Sequence, residues 1–124
     1  MIIRDITNCP HERVLDRTML CELLHPDKVP GASGLPCSIA HAIVPVGEES
    51  LPHVLKKSTE LYYILSGHGE MHIENECSTV QRGQIVMIPP GSRQYIRNTG
   101  REDLIFLCIV APKWQANDER LVEG

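Results

Sequence analysis

Glycine and proline divide this chain into short segments, and that division constrains its fold more than any other feature of the sequence. Turn-forming residues end one apolar run after another, at His25-Pro26, Pro45-Val46-Gly47, Ser66-Gly67-His68-Gly69, Pro89-Pro90-Gly91, Asn98-Thr99-Gly100 and Ala111-Pro112. The spacing between many of these turn signals is roughly 8–12 residues, which is typical of sandwiches and barrels. Helical periodicity is almost absent. The pattern therefore predicts an all-β fold.

Seven runs between these turns have the composition of strands. They are residues 18–24, 38–44, 60–65, 70–73, 84–88, 94–97 and 104–110. The run 104–110 is apolar at every position except Cys108, so both of its faces need to be covered. In so small a protein this predicts a homodimer. For the C-terminal tail, residues 111–124, we expect at most a short surface turn, with Trp114 packed back on the barrel.

Composition narrows the class of protein. A length of 124 residues predicts one domain spanning residues 1–124. The net charge of −4 is scattered, without the basic stripe that nucleic-acid binding requires. No apolar run is long enough for a membrane span, and residues 1–17 do not have the pattern of a signal peptide. Five cysteines without a CxxC pair indicate reduced thiols and a cytoplasmic protein.

Two segments carry a motif. The first, residues 47–67, runs from Gly47 through His53 and Glu60 to Gly67; the second, residues 83–98, contains Pro89-Pro90-Gly91 and ends at Asn98. Together they resemble the two signatures of the cupin superfamily, G(X)5HXH(X)3–4E(X)6G and G(X)5PXG(X)2H(X)3N. The resemblance implies a small single-domain cupin, a double-stranded β-helix or jelly-roll barrel.

The resemblance also implies a metal in the barrel, held by two histidines and a glutamate of motif one and a histidine of motif two. Here His53 and Glu60 stand at two of these positions, but Leu55 and Gln94 replace the other two histidines. One nitrogen, one carboxylate and one amide oxygen bind a divalent ion more weakly than the full set. His53, Glu60 and Gln94 are therefore candidate ligands for Fe, Mn, Ni, Zn or Cu.

Other side chains are candidates to complete the site. His41 stands between Ala40 and Ala42 and faces either the lumen, as a further metal ligand, or the rim. Tyr62 lies two residues after Glu60, and alternation along a strand points both inward, so both are candidate catalytic groups for proton transfer. Cys108 is either a soft ligand or a small core residue. His68 and His72 flank a turn, where we expect exposure to solvent rather than metal binding.

Two functions remain open at this point. The first is a mononuclear metalloenzyme of dioxygenase, isomerase, epimerase, lyase or decarboxylase type, the chemistries that the resemblance allows. The second is a metal-free pocket in which His53, Glu60 and Gln94 orient a small organic molecule, such as a sugar or an organic acid. A structural protein with a vestigial site is the least favoured, because a polar cluster inside an apolar barrel is costly unless it is satisfied.

Overall fold

A computed structural model describes residues 1–123 of the protein, and strands make up nearly all of its regular structure. Within that range the helical segments are two short 3-10 turns, Ile6–Asn8 and Ala116–Asp118. The strands are β1 (Glu12–Arg13), β2 (Met19–Leu24), β3 (Ser38–Val44), β4 (His53–Leu55), β5 (Thr59–Ser66), β6 (His68–Ile73), β7 (Glu76–Gln81), β8 (Ile85–Ile88), β9 (Gln94–Asn98), β10 (Leu104–Ala111) and β11 (Glu119–Leu121).

The strands form two antiparallel sheets. The larger has the order β1-β2-β3-β10-β5-β8 and the smaller the order β11-β4-β9-β6-β7. Non-consecutive strands are neighbours in both sheets, because the chain alternates between them as it winds around the barrel. This is the double-stranded β-helix, and the all-β prediction is confirmed.

All seven predicted runs form strands, and the strands that were missed are short or polar. In β7 only Val80 is buried, so this strand has no apolar periodicity to detect. The expectation for the tail was incomplete. A 3-10 turn does form there, but residues 119–121 continue as β11 and pair with β4. Three residues are too few to show a strand pattern, and backbone pairing alone places them in the sheet.

The space between the sheets is packed at one end and open at the other. Ile64, Ile96 and Leu104 are fully buried and fill the packed end. At the other end a cavity of about 560 Å³ opens between the sheets. The side chain of Ala40, opposite Cys108 in the pairing of β3 with β10, is too small to fill this space.

The outer face of the larger sheet is also apolar. Along β10, fully buried residues alternate with half-buried Ile105, Leu107 and Ile109, which point away from the cavity. The strand is therefore apolar on both faces, as the sequence indicated. Among residues 1–123, no helix has the length and hydrophobicity needed to cross a membrane.

Candidate metal and ligand site

The cavity is lined by both sheets and by the segments that flank them. Strands of the larger sheet contribute Ala40, Glu60, Tyr62, Phe106 and Cys108, and the smaller sheet contributes His53, Leu55 and Glu119. Before β2 the chain adds Asp16 and Thr18, and after β10 it adds Trp114. Polar groups therefore converge on an otherwise apolar cavity, as in ligand-binding sites generally.

His53 is the first residue of β4 and is almost completely buried. Its Nδ1 lies 2.8 Å from the carbonyl oxygen of Leu51, which can only accept a hydrogen bond. Nδ1 therefore carries a hydrogen and donates it. In the neutral ring, Nε2 is then left with a free lone pair, the arrangement that metal-binding histidines commonly show.

Two carboxylates face Nε2 of His53. Asp16 Oδ2 lies 3.5 Å from this nitrogen and Glu119 Oε2 lies 4.0 Å from it. The second oxygen of each carboxylate accepts hydrogen bonds that hold the side chain in place. Asp16 Oδ1 accepts hydrogen bonds from the backbone N–H and the hydroxyl of Thr18, and Glu119 Oε1 accepts one from the indole of Trp114.

One oxygen from each carboxylate and Nε2 of His53 thus form a donor cluster, with all three atoms within 4.8 Å of one another. At metal–ligand bonds of about 2.0–2.2 Å, ligands at tetrahedral angles lie about 3.4 Å apart. The observed 3.5 and 4.0 Å are close to that spacing. Burial raises the pKa of Glu119, with Asp16 and Asp118 adding to the effect. A divalent cation among these atoms would neutralise the two carboxylates.

Glu60 belongs to a separate chain of hydrogen bonds on the cavity wall. The Tyr62 hydroxyl donates to Gln94 Oε1 at 3.0 Å, and Gln94 Nε2 donates to Glu60 Oε1 at 2.8 Å. Burial raises the pKa of Glu60 to about 7, although His53 and Gln94 oppose this shift. Burial also raises the pKa of Tyr62 well above its usual value, so its hydroxyl keeps its proton. Glu60 can therefore exchange a proton near neutral pH, while Tyr62 orients Gln94.

His41 does not reach the lumen. On β3, Ala40 and Ala42 point inward and His41 points to the opposite face, where its Nδ1 lies 2.8 Å from Nε2 of His11. Burial lowers the pKa of His41, and the nearby His11 lowers it further. As a metal ligand beside His53, His41 is misplaced, because alternation along β3 turns Ala40 and Ala42 inward and His41 to the opposite face.

Cys108 does face the cavity, and it is buried. Burial raises the pKa of its thiol well above the usual value, with Glu60 adding to the shift. The thiol is therefore protonated at neutral pH. This favours the interpretation of Cys108 as a small wall residue rather than a soft ligand.

Comparison with known proteins identifies the family. The cupin domain family (Cupin_2) matches residues 40–110, more than half of the chain. The chain belongs to this family. The resemblance that the two sequence motifs indicated is thereby confirmed.

The relatives of this cupin include an uncharacterized protein and two proteins whose names refer to oxalate. An uncharacterized protein of Methanocaldococcus jannaschii, MJ1618, is 39% identical over 108 residues, covering 87% of this chain and 84% of its own. An oxalate-binding protein of Thermotoga maritima is 31% identical over 67 residues, covering 54% of this chain and 55% of its own. A crystal structure of a predicted oxalate decarboxylase from Thermotoga maritima has a TM-score of 0.79 at 23% identity, covering 90% of this chain and 99% of its own. At that identity the structural likeness shows the fold alone.

The four positions at which the family resemblance implies metal ligands do not all fit a metal in this cupin. The hydrocarbon side chain of Leu55 is buried against the cavity. Both ends of the Gln94 amide are occupied, one by Tyr62 and the other by Glu60. Glu60 is not a member of the donor cluster around His53. His53 is thus the one residue shared by the implied ligand set and the observed cluster.

Sequence reasoning missed Asp16 and Glu119, the other two members of the cluster. Asp16 lies between β1 and β2, and Glu119 is the first residue of β11, so both are outside the two motifs. The one local signal was Asp16-Arg17-Thr18, in which the carboxylate accepts a hydrogen bond from the backbone two residues on. That signal indicates a turn and says nothing about a metal.

Proposed function

We propose that this cupin binds a divalent metal ion at Asp16, His53 and Glu119 and presents it to a small organic ligand in the barrel. The observation that carries the proposal is the donor cluster, in which each member offers one atom to a common point and is held through another. Such outer hydrogen bonds orient ligands in known metal sites. When bound, the metal would act as a Lewis acid toward a carbonyl or hydroxyl oxygen.

The charge of the cavity supports a neutral ligand that carries hydroxyl groups. Five acidic side chains line the cavity, whereas its cationic groups are Lys28 and, when protonated, His53; the acids are Glu12, Asp16, Glu22, Glu60 and Glu119. Two carboxylates already balance a divalent ion at the cluster. A free dicarboxylate such as oxalate would therefore enter against the remaining negative charge, whereas the hydroxyls of a sugar would donate to it.

Glu60 is the group we assign to proton transfer. It lies on the cavity wall, and its pKa of about 7 suits an acid–base role at neutral pH. Tyr62 acts through Gln94 and is a positioning residue. If no metal binds, the second candidate function is a metal-free acid–base site built from Glu60 and from the pair of His53 and Asp16, which lie 3.5 Å apart.

The first experiment measures metal binding by chelator-treated protein with Mn²⁺, Zn²⁺, Co²⁺ and Ni²⁺, using calorimetry and elemental analysis. We expect cavity binding that weakens at least about tenfold in Asp16→Asn and Glu119→Gln and disappears in His53→Ala. Glu12→Gln is the matched control, because Glu12 lines the cavity but lies outside the cluster. Affinities unchanged in all three cluster variants would overturn the metal site. Saturable binding of oxalate to the loaded protein would overturn the neutral-ligand assignment.

The apolar outer face of the larger sheet supports a further part of the proposal, a homodimer. Tyr63, Ile85 and Met87 are 39%, 60% and 64% exposed on β5 and β8, beside the half-buried residues of β10. Contiguous exposed apolar side chains of this kind mark protein–protein contacts. We propose that a second copy of the chain covers this face.

A further inference from the structure

The outer face of the smaller sheet carries a second group of metal-ligand atoms. Glu70 and His72 lie on the face of β6 opposite the buried Met71. Cys77 on β7 is the direct cross-strand partner of His72. The three side chains therefore share the solvent side of the β6–β7 hairpin, with the sheet between them and the cavity.

The oxygen of Glu70 and the sulfur of Cys77 both lie close to Nε2 of His72. Nε2 of His72 lies 2.7 Å from Glu70 Oε1 and 3.7 Å from the sulfur of Cys77, and all three atoms are within 4.8 Å of one another. The side chains of His72 and Glu70 are 21% and 31% exposed, and Cys77 is exposed. An ion can therefore reach them from solvent without a change in the fold.

The spacing suits a tetrahedral ion. With Zn–S of about 2.3 Å and Zn–N of about 2.0–2.1 Å, tetrahedral geometry separates sulfur from nitrogen by about 3.6 Å, close to the observed 3.7 Å. The carboxylate is now hydrogen-bonded to His72, and it needs to move only about 0.6 Å outward to reach a tetrahedral separation of about 3.3 Å. A rotation of the Glu70 side chain supplies that movement.

Neighbouring residues hold the His72 ring in place. It stacks on Tyr95 of β9 with the ring centroids 4.2 Å apart and an angle of 6° between the planes. The Arg93 guanidinium lies 5.7 Å from the Tyr95 ring centroid. Two backbone ladders, β6–β7 and β6–β9, fix the strands that carry these side chains. The central ligand is therefore oriented before an ion arrives, which lowers the entropic cost of binding.

We propose that Glu70, His72 and Cys77 form a surface site for Zn²⁺, with the fourth tetrahedral position open to water or to a ligand atom from another molecule. One imidazole, one thiolate and one carboxylate are a donor set that zinc accepts, and the soft sulfur of Cys77 disfavours the harder ions Mg²⁺ and Ca²⁺. Binding replaces the thiol S–H bond with a Zn–S bond and releases that proton to solvent. The hydrogen that Nε2 of His72 now donates to Glu70 also passes to solvent, and Nδ1 takes up one in its place, so that the neutral ring binds zinc through Nε2.

We expected His68 and His72 to flank a turn and to be exposed, but both lie within β6, and the side chain of His72 is only 21% exposed. His68 takes no part in the cluster. Cys77 supplies the missing donor from the next strand. Cross-strand pairing creates this contact, and no spacing motif for metal binding describes it.

The test uses a background variant, Asp16→Asn with Glu119→Gln, in which the proposed cavity site is disabled. Zn²⁺ is titrated against a chromophoric chelator, and Co²⁺ replaces it for spectroscopy, because a thiolate ligand gives a charge-transfer band in the near ultraviolet. We expect about one equivalent of either ion per chain and the thiolate band. Cys77→Ser should abolish the band and weaken Zn²⁺ binding at least about tenfold. Cys37→Ser is the matched control, because Cys37 lies outside the cluster.

His72→Gln provides a second variant and should weaken the binding of both ions without changing the fold, since its side chain is outside the core, on the solvent side of the sheet. Absence of the thiolate band, or equal Zn²⁺ affinity with and without Cys77, would overturn this site. The two proposals are tested separately. The background variant lacks two ligands of the cavity site, whereas the single variant Cys77→Ser keeps Asp16, His53 and Glu119.

Discussion

At the scale of single residues, Glu60 shows how the barrel changes the chemistry of a side chain. Only 8% of its surface is exposed, and burial raises its pKa from an ordinary 4.5 to about 7. The hydrogen bond from Gln94 and the proximity of His53 both favour the charged form, yet burial dominates. The cavity wall thus holds a carboxyl group, that of Glu60, which is roughly half protonated at neutral pH.

This shift predicts a pH dependence of stability. Because the folded state binds the Glu60 proton more tightly than the unfolded state, its contribution is fully present below about pH 4.5 and is lost as the pH rises through about 7. In wild type, Glu60 should lower the unfolding free energy by roughly 2–3 kcal/mol between pH 5 and pH 8. Glu60→Gln, measured with chelator present, should not show this loss. Urea unfolding at pH 5 and at pH 8 measures this change in free energy. Glu76→Gln, at an exposed position, is the control, and an equal pH dependence in Glu60→Gln and wild type would contradict the prediction.

At the scale of elements, the connection between β5 and β6 depends on a close backbone approach. Gly67 has φ of +90°, and a Cβ there would lie 2.6 Å from the carbonyl oxygen of Asp103 and 2.9 Å from Cα of Leu104. Both contacts are with backbone atoms at the start of β10, so no side chain can rotate out of the way. The glycine of motif one therefore brings two strands of the packed end together.

We predict that Gly67→Ala costs about 2–4 kcal/mol of unfolding free energy, the sum of backbone strain and overpacking. Gly83→Ala separates the two contributions, since Gly83 has a similar φ of +88° but nothing within 4 Å of an added Cβ. It should lose only the strain, about 1–2 kcal/mol. Chemical denaturation of the two variants tests this, and equal losses would show that the approach to Asp103 is unimportant.

At the scale of the whole molecule, the two faces of the larger sheet have different roles. The inner face lines the cavity and the core, whereas the outer face leaves Ile85 and Met87 more than half exposed. A monomer would present this apolar surface to water. The five cysteines of the described chain are free thiols, and the cytoplasmic location inferred from their number stays a prediction.

We expect a dimer of about twice the 13.9 kDa chain mass in size-exclusion chromatography with light scattering. Ile85→Lys combined with Met87→Lys should convert it to a monomer, because burying two uncompensated charges is costly. The pair Glu74→Lys and Glu76→Lys, at the β6–β7 turn on the other sheet, changes the net charge by twice as much and should leave the dimer intact. A monomeric wild type would refute the homodimer.

The sequence by itself predicted seven of the eleven strands, the family and several side chains that face the inside of the barrel. Turn residues and alternation are local properties, so they placed β5, β9 and β10 and pointed Glu60, Tyr62 and Gln94 inward. Only the tertiary structure decided which donors meet His53. Asp16 and Glu119 reach it through the segment before β2 and through the pairing of β11 with β4. His41 faces outward because its neighbours Ala40 and Ala42 face inward on β3, and the turn at Pro45–Gly47 prevents that alternation from being counted from motif one. Contacts between distant segments depend on the closed barrel, and no local pattern encodes them.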